Sequence, residues 1–181
     1  VEESSLTPDG RMIIFETIKV PLLDNKNKIN GIVGISRDIS ERKQTERDLR
    51  ESEELYRTLV RTLPDAVTMT DLEGNIIFIS RQTLELYEYK HEEELLGKNA
   101  FDLIAPEDHN KAIEYIKKTL AEGTVQNVEY SFLKKDGTHF SGELNAAVIK
   151  NDSGDPKAFI VTVRNISDRK RAEQALRENE E

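Results

Sequence analysis

The sequence predicts an α+β fold in which a five-stranded antiparallel sheet carries helices on one face and is flanked by linker helices. Three observations lead there. Two short β-patterns, Ala66 to Asp71 and Ile76 to Ser80, stand either side of Leu72-Glu73-Gly74-Asn75, a hairpin-like connection with Gly where positive φ is wanted. Three longer β-patterns, 125–135, 138–150 and 157–166, are joined by Asp136-Gly137 and by Asp152-Ser153-Gly154-Asp155-Pro156, both strong turn chemistry. Between the two groups the apolar period becomes helical, and an antiparallel sheet with helices over one face lets every amphipathic element bury its apolar side.

The elements follow in order. From Arg81 to Ile104 the apolar residues Leu84, Tyr87, Leu95, Leu96, Phe101 and Ile104 are interrupted by Gly97, which predicts short helical pieces rather than one rod. Pro106-Glu107-Asp108 opens a longer helix, with acids where the macrodipole favours them and Gly123 to end it. Ala112, Ile113, Ile116 and Leu120 form its expected buried stripe.

The chain also repeats itself. Residues 1–54 align without a gap to residues 128–181, and Arg37-Asp38-Ile39-Ser40-Glu41-Arg42-Lys43 returns as Arg164-Asn165-Ile166-Ser167-Asp168-Arg169-Lys170. Residues 55–127 have no counterpart, so the expected organisation is the C-terminal part of a truncated first module over 1–40, a linker helix over 41–62, a complete module over 63–167 and an outgoing helix over 168–181. Residues 1–40 supply about three strands with one face lacking its partner, a piece expected to fray or to be completed in a dimer. Starting at Val1 inside a strand, the chain reads as a fragment of a longer polypeptide.

The complete module resembles the PAS domain family with its C-terminal PAC portion, as found in tandem in sensor proteins such as the sensor histidine kinases of two-component systems. The resemblance rests on Gly74, Glu93-Glu94-Leu95-Leu96-Gly97-Lys98, Pro106-Glu107-Asp108 and Lys135-Asp136-Gly137-Thr138, in that order, while residues 1–43 look like the PAC portion of a preceding copy. Ser80 stands where many relatives carry Asn, and Glu88 where Gly usually precedes the matching Tyr89.

The resemblance implies a signal junction where the last strand becomes a helix: Arg37, Asp38, Ile39 and Ser40 in the first copy, Arg164, Asn165, Ile166 and Ser167 in the second. Ser40 and Ser167 suit an N-cap, and Glu41 and Asp168 place negative charge at the positive end of the following helix. Asp38 against Asn165 restricts any charge-dependent contact to the first copy. Along the linker helix and just past its end Leu49, Tyr56 and Leu63 recur every seven residues as a thin seam, while Glu46–Arg50 and Glu53–Arg57 there and Glu173–Arg177 in the outgoing helix are spaced for i,i+4 pairs. A lone helix this polar is marginal in water, so a homodimer through the terminal helices is expected; a solvated linker is the alternative.

A bound small molecule is expected between sheet and long helix, among Leu84, Tyr87, Phe101, Ile113, Ile116, Phe140, Leu144 and Val161, residues that serve equally well as packed core. The sequence does not name the ligand. Haem-binding relatives carry their ligand His well along the long helix, whereas the only His there is His109, in its first turn, so the resemblance disfavours haem. The chain has no Cys, which excludes the Cys-adduct flavin chemistry of related photosensors, disulfides and thiolate metal sites, and leaves noncovalent flavin open. His91, His109 and His139 have no metal-ligand spacing, no metal is expected, and His91-Glu92 reads as surface.

A net charge of −9 with interspersed Lys and Arg argues against nucleic acid, and no apolar run nears the ~20 residues of a membrane span. With no Cys besides, the segment is expected to be cytoplasmic. No phosphate loop, nucleophile elbow or carboxylate pair marks it as an enzyme. The expected function is therefore sensory relay to an effector outside this segment; the alternative is a ligand-free structural dimerisation or protein-interaction module.

Overall fold

A computed structural model describes residues 1–180, and the chain divides into two compact units, Val1–Thr58 and the remainder from Leu59 on. In the first unit β1 (Glu2–Leu6), β2 (Met12–Leu23) and β3 (Ile29–Asp38) form an antiparallel sheet in the order β1-β2-β3. Only Thr17 and Ile39 are buried in it. Cross-strand pairing sets Ile18 opposite Ile35 and Val20 opposite Val33, and all four remain largely exposed. At roughly 1.5–3 kcal/mol per fully buried aliphatic side chain, these strands withhold most of their apolar area from the unit's own stability. Helix α1 (Ser40–Thr62) then leaves the sheet with none of its residues buried.

The second unit contains the five-stranded antiparallel sheet, β4 (Ala66–Thr70), β5 (Ile76–Ile79), β6 (Thr124–Leu133), β7 (His139–Lys150) and β8 (Pro156–Asn165), in the order β5-β4-β8-β7-β6. Helix α2 (Arg81–Tyr87), three short 3₁₀ turns (Glu92–Glu94, Ala100–Leu103 and Pro106–Asp108) and helix α3 (His109–Glu122) lie between β5 and β6 in sequence. Helix α4 (Ser167–Glu180) follows β8.

Local chemistry explains the boundaries. β4 ends before Asp71 because the Asp71 carboxylate accepts from the Asn75 backbone N–H at 2.7 Å and side-chain amide at 2.8 Å, closing the turn. Gly74 sits in that turn at φ +88°, and a Cβ there would meet the Asn99 amide at 3.2 Å, so the position needs Gly twice over. Gly123 ends α3 at φ +85°, its N–H returning to the Thr119 carbonyl at 2.8 Å. At the start of α3 the Asp108 carboxylate accepts from the Ser131 backbone N–H at 2.7 Å, fixing the helix to β6.

The expected stripe on α3 needs correction. Ala112 and Thr119 are its buried residues and Tyr115 and Ile116 are half-buried, whereas Ile113 and Leu120 are 46% and 43% exposed. Residues 112, 115, 116 and 119 share one helix face, and 113 and 120 fall about 100° further round it.

The core is aromatic at its centre. Phe132 and Phe140 stack at 5.4 Å, and Tyr87 meets both edge-on, at 6.0 and 5.4 Å between centroids. Gly142 makes room for this, since a Cβ there would lie 2.6 Å from two Phe132 ring carbons.

Candidate ligand cavity and signal junctions

Between the sheet of the second unit and α3 lies a cavity of about 350 Å³. Thr68 and Thr70 of β4, Tyr130 and Phe132 of β6, Leu144 and Ala146 of β7, and Phe159, Val161 and Val163 of β8 wall its sheet side. Tyr87, Phe101, Ala112, Ile113, Tyr115, Ile116 and Thr119 are among the helical residues opposite. Leu72 and Ile113, each about half exposed, mark the side where it opens.

Of the expected pocket residues, Tyr87, Phe101, Ile113, Ile116, Leu144 and Val161 line the cavity. Leu84 and Phe140 do not. Phe140 is 5% exposed and its space is filled by Phe132, while Leu84 packs partly buried against the core. Thr68, Thr70, Tyr115 and Tyr130 also line the cavity and belong to no apolar stripe of the sequence, although the period-two spacing of the threonines in Ala-Val-Thr-Met-Thr puts both on one face of β4. Burial raises the Tyr87 and Tyr130 hydroxyls well above the ordinary tyrosine range, so both stay neutral donors.

His109 does not face the cavity. Its Nε2 lies 3.0 Å from the Ile104 carbonyl and its ring meets Phe101 edge-on. His139 Nδ1 lies 3.1 Å from the Ser131 hydroxyl. His91 is exposed. Among the described residues no three His, Asp or Glu side chains converge as a metal site, and no helix is long and apolar enough to cross a membrane.

The departures at Ser80 and Glu88 have local structural uses. Ser80 Oγ accepts from the Val67 backbone N–H at 3.0 Å, tying the start of α2 to β4. Glu88 adopts φ 61° at the end of α2, the left-handed geometry for which Gly is usual, and its carboxylate accepts from Lys134. Two of the sequence motifs meet in space: Glu94 pairs with Lys135, and Lys98 and Lys135 each lie 5.5 Å from the Tyr89 ring centroid.

The two junctions repeat atom for atom. Ile39 and Ile166, both buried, donate their N–H groups to the carbonyls of Ile14 and Ser141 at 2.9 Å. Ser40 and Ser167 were expected as N-caps, but each is the first residue of its helix, and its hydroxyl accepts from the neighbouring strand instead: from Ile14 N–H at 2.9 Å and Ser141 N–H at 3.1 Å. Asp38 and Asn165 take the capping role, each Oδ1 accepting from the serine N–H two residues on at 2.9 Å. An amide thus makes the same bond as the carboxylate, and hydrogen bonds from Ser40, the backbone N–H foremost, hold Asp38 below the usual carboxylate range.

A further repeated contact lies just beyond. Lys43 pairs with Glu2 at 2.7 Å and Lys170 with Glu129 at 2.6 Å, so each outgoing helix is tied to the first strand of its own three-stranded segment. These pairs were legible only as matched positions in the repeat. The expected i,i+4 pairs form in a different register, Arg42–Glu46, Arg50–Glu54 and Arg169–Glu173, the reverse order of charge. Leu49, Tyr56 and Leu63 of the seam are 61%, 67% and 42% exposed.

A family model for the PAS domain matches residues 1–41 and again 64–168. The chain belongs to the PAS domain family. Its PAS segments are similar to sporulation kinase A of Bacillus subtilis (strain 168), 27% identical over 99% of this chain and 29% of that protein. They are also similar to the sensor protein FixL of Bradyrhizobium diazoefficiens, 26% identical over 86% of this chain and 31% of that protein. The chain thus spans under a third of the length of these relatives.

The PAS domain of an HTR-like protein from Haloarcula marismortui has the same fold, with a TM-score of 0.57 at 19% identity over 68% of this chain and 99% of that one. An RNA-binding light-oxygen-voltage receptor matches with a TM-score of 0.62 at 17% identity, covering 91% of this chain and 42% of that one. PAS domains are sensory modules rather than catalytic ones, and this chain is similar to the PAS regions of sensor proteins and kinases.

Proposed function

We propose that the complete PAS module binds a small molecule in its cavity and relays the ligand state through α4 to an effector of a cytoplasmic signalling protein. One observation carries this reading: β8 serves both ends of the route. Val161 and Val163 wall the cavity, and the same strand continues through Arg164 and Asn165 into the Ile166–Ser167 clasp on β7. A ligand that favours one arrangement of β8 over another shifts the population of the attached helix by its difference in affinity for the two. Native mass spectrometry and an absorption spectrum of freshly purified protein test the first half. A stoichiometric bound molecule supports sensing, and protein repeatedly recovered empty from its native host contradicts it.

The exposed apolar residues Leu49 and Tyr56 of α1, with Leu63 just past its end, favour a second reading, in which the chain dimerises through these three residues and the modules organise a homodimer without ligand. Sedimentation across a dilution series separates the cases, because a dimer whose association ignores cavity occupancy fits this reading alone. The similarity to sporulation kinase A supports a kinase as the effector.

A further inference from the structure

Resting on the cavity reading above, we infer that the site takes a compact, uncharged, largely apolar molecule of one or two rings that presents a hydrogen-bonding group to Thr68 and Thr70. The cavity volume, about 350 Å³, equals roughly a dozen waters at ~30 Å³ each, enough for a fused bicycle with a small substituent. Thr68 and Thr70 are 8% and 5% exposed, and both line the cavity. Neither hydroxyl has a hydrogen-bond partner among the described residues, and neither is sealed off from the cavity as a fully enclosed orphan atom.

Other buried hydroxyls of this unit are used. Thr83 donates to the Val67 carbonyl at 2.8 Å and Thr119 to the Tyr115 carbonyl at 2.6 Å. The contrast matters because a hydroxyl that reaches the cavity without a protein partner is left to be satisfied by whatever occupies the cavity. Two on alternate residues of one strand, both lining the same cavity, form an incomplete polar site in an otherwise apolar wall. The Tyr87 and Tyr130 hydroxyls, which have no hydrogen-bond partner among the described residues, add neutral donors elsewhere in the lining.

Charge on the ligand is disfavoured by the same wall. The charged lining residues are Glu73 and Lys117, and both are exposed, so neither supplies a buried counter-charge. An ion seated beside Thr68 and Thr70 would be desolvated without compensation.

Three probes of one shape separate the possibilities: 2-naphthol, naphthalene and 2-naphthoate, titrated at pH 7 into the whole chain and followed by amide chemical shifts. 2-Naphthol should bind about three- to tenfold more tightly than naphthalene, the worth of one net hydrogen bond. 2-Naphthoate should bind most weakly. In the double variant Thr68→Val, Thr70→Val, 2-naphthol should fall to the affinity of naphthalene, with naphthalene itself retained; that retention also shows that the variant folds.

Naphthoate binding as tightly as naphthol, or a double variant with an unchanged preference, overturns the assigned ligand class and leaves the cavity standing. Failure of all three probes to shift any cavity amide overturns the cavity reading as well.

Discussion

Arg164 and Asp65 face each other through two parallel hydrogen bonds, Nε to Oδ1 at 2.9 Å and Nη2 to Oδ2 at 2.8 Å. Asp65 stands immediately before β4, and Arg164 stands immediately before the Asn165–Ile166–Ser167 junction. A planar fork on a carboxylate fixes orientation as well as distance. The pair therefore registers the end of β8 against the start of β4, and the Asp65 carboxylate raises the Arg164 pKa above its ordinary value.

Asp65→Ala should loosen this end of β8 selectively. Hydrogen exchange is expected to quicken at the Ile166 amide while the Val128 amide, on β6, keeps its protection. Equal acceleration at both would indicate global destabilisation instead.

Gly142→Ala should cost about 1–3 kcal/mol, the usual range for overpacking a filled core. The added Cβ meets Phe132 ring carbons at 2.6 Å and a Val163 methyl at 3.0 Å. Combining it with Phe132→Leu should give a loss smaller than the sum of the two single variants, because the residues share one space. Urea denaturation of the four proteins in the cycle measures this directly; strict additivity would refute the close contact.

Acid should weaken the contact between the Glu92–Glu94 turn and the β6–β7 hairpin. The Lys135 ammonium beside Glu94 holds its carboxyl at about 2, against an ordinary 4.5. With the folded value depressed, the contribution to stability is complete above about pH 4.5 and is lost as pH falls toward about 2. Glu94→Gln should therefore show a shallower decline in stability across that window than wild type. Superimposable pH profiles would rule the contact out as a contributor.

Replacing Leu49 and Tyr56 together with Asp should shift sedimentation toward monomer if the α1 seam holds a dimer. Both side chains are more than half exposed, so the substitution disturbs no core. Identical sedimentation of wild type and variant at low concentration would remove this seam from the account.

The element order was legible because each boundary carries its own local signal: Gly74 and Asp136-Gly137 for turns, Gly123 for a helix end; Pro106-Glu107-Asp108, expected to open the long helix, forms a separate 3₁₀ turn, and α3 starts after it at His109. Sidedness was harder where periodicity is loose. Ile113 and Leu120 fit a helical stripe by composition, yet the sheet meets the face of Ala112, Tyr115, Ile116 and Thr119. Ser40 and Ser167 read as caps because the rule considers only the helix; the strands carrying Ile14 and Ser141, β2 and β7, compete for the two hydroxyls, and each is distant in sequence from its serine. Thr68 and Thr70 were invisible for a related reason. Nothing in a β-pattern distinguishes a threonine whose hydroxyl is satisfied, as in Thr124 of β6, from one left lining a cavity.

On the proposed function, occupancy of the cavity reaches the outgoing helix through β8. Hydrogen exchange at the Ile166 and Lys170 amides, compared between the free protein and protein saturated with 2-naphthol, tests it most directly. The account predicts altered protection at both amides together with slowed exchange along Thr70 and Val161. Slowed exchange at Thr70 and Val161 with no change at Ile166 and Lys170 would contradict it.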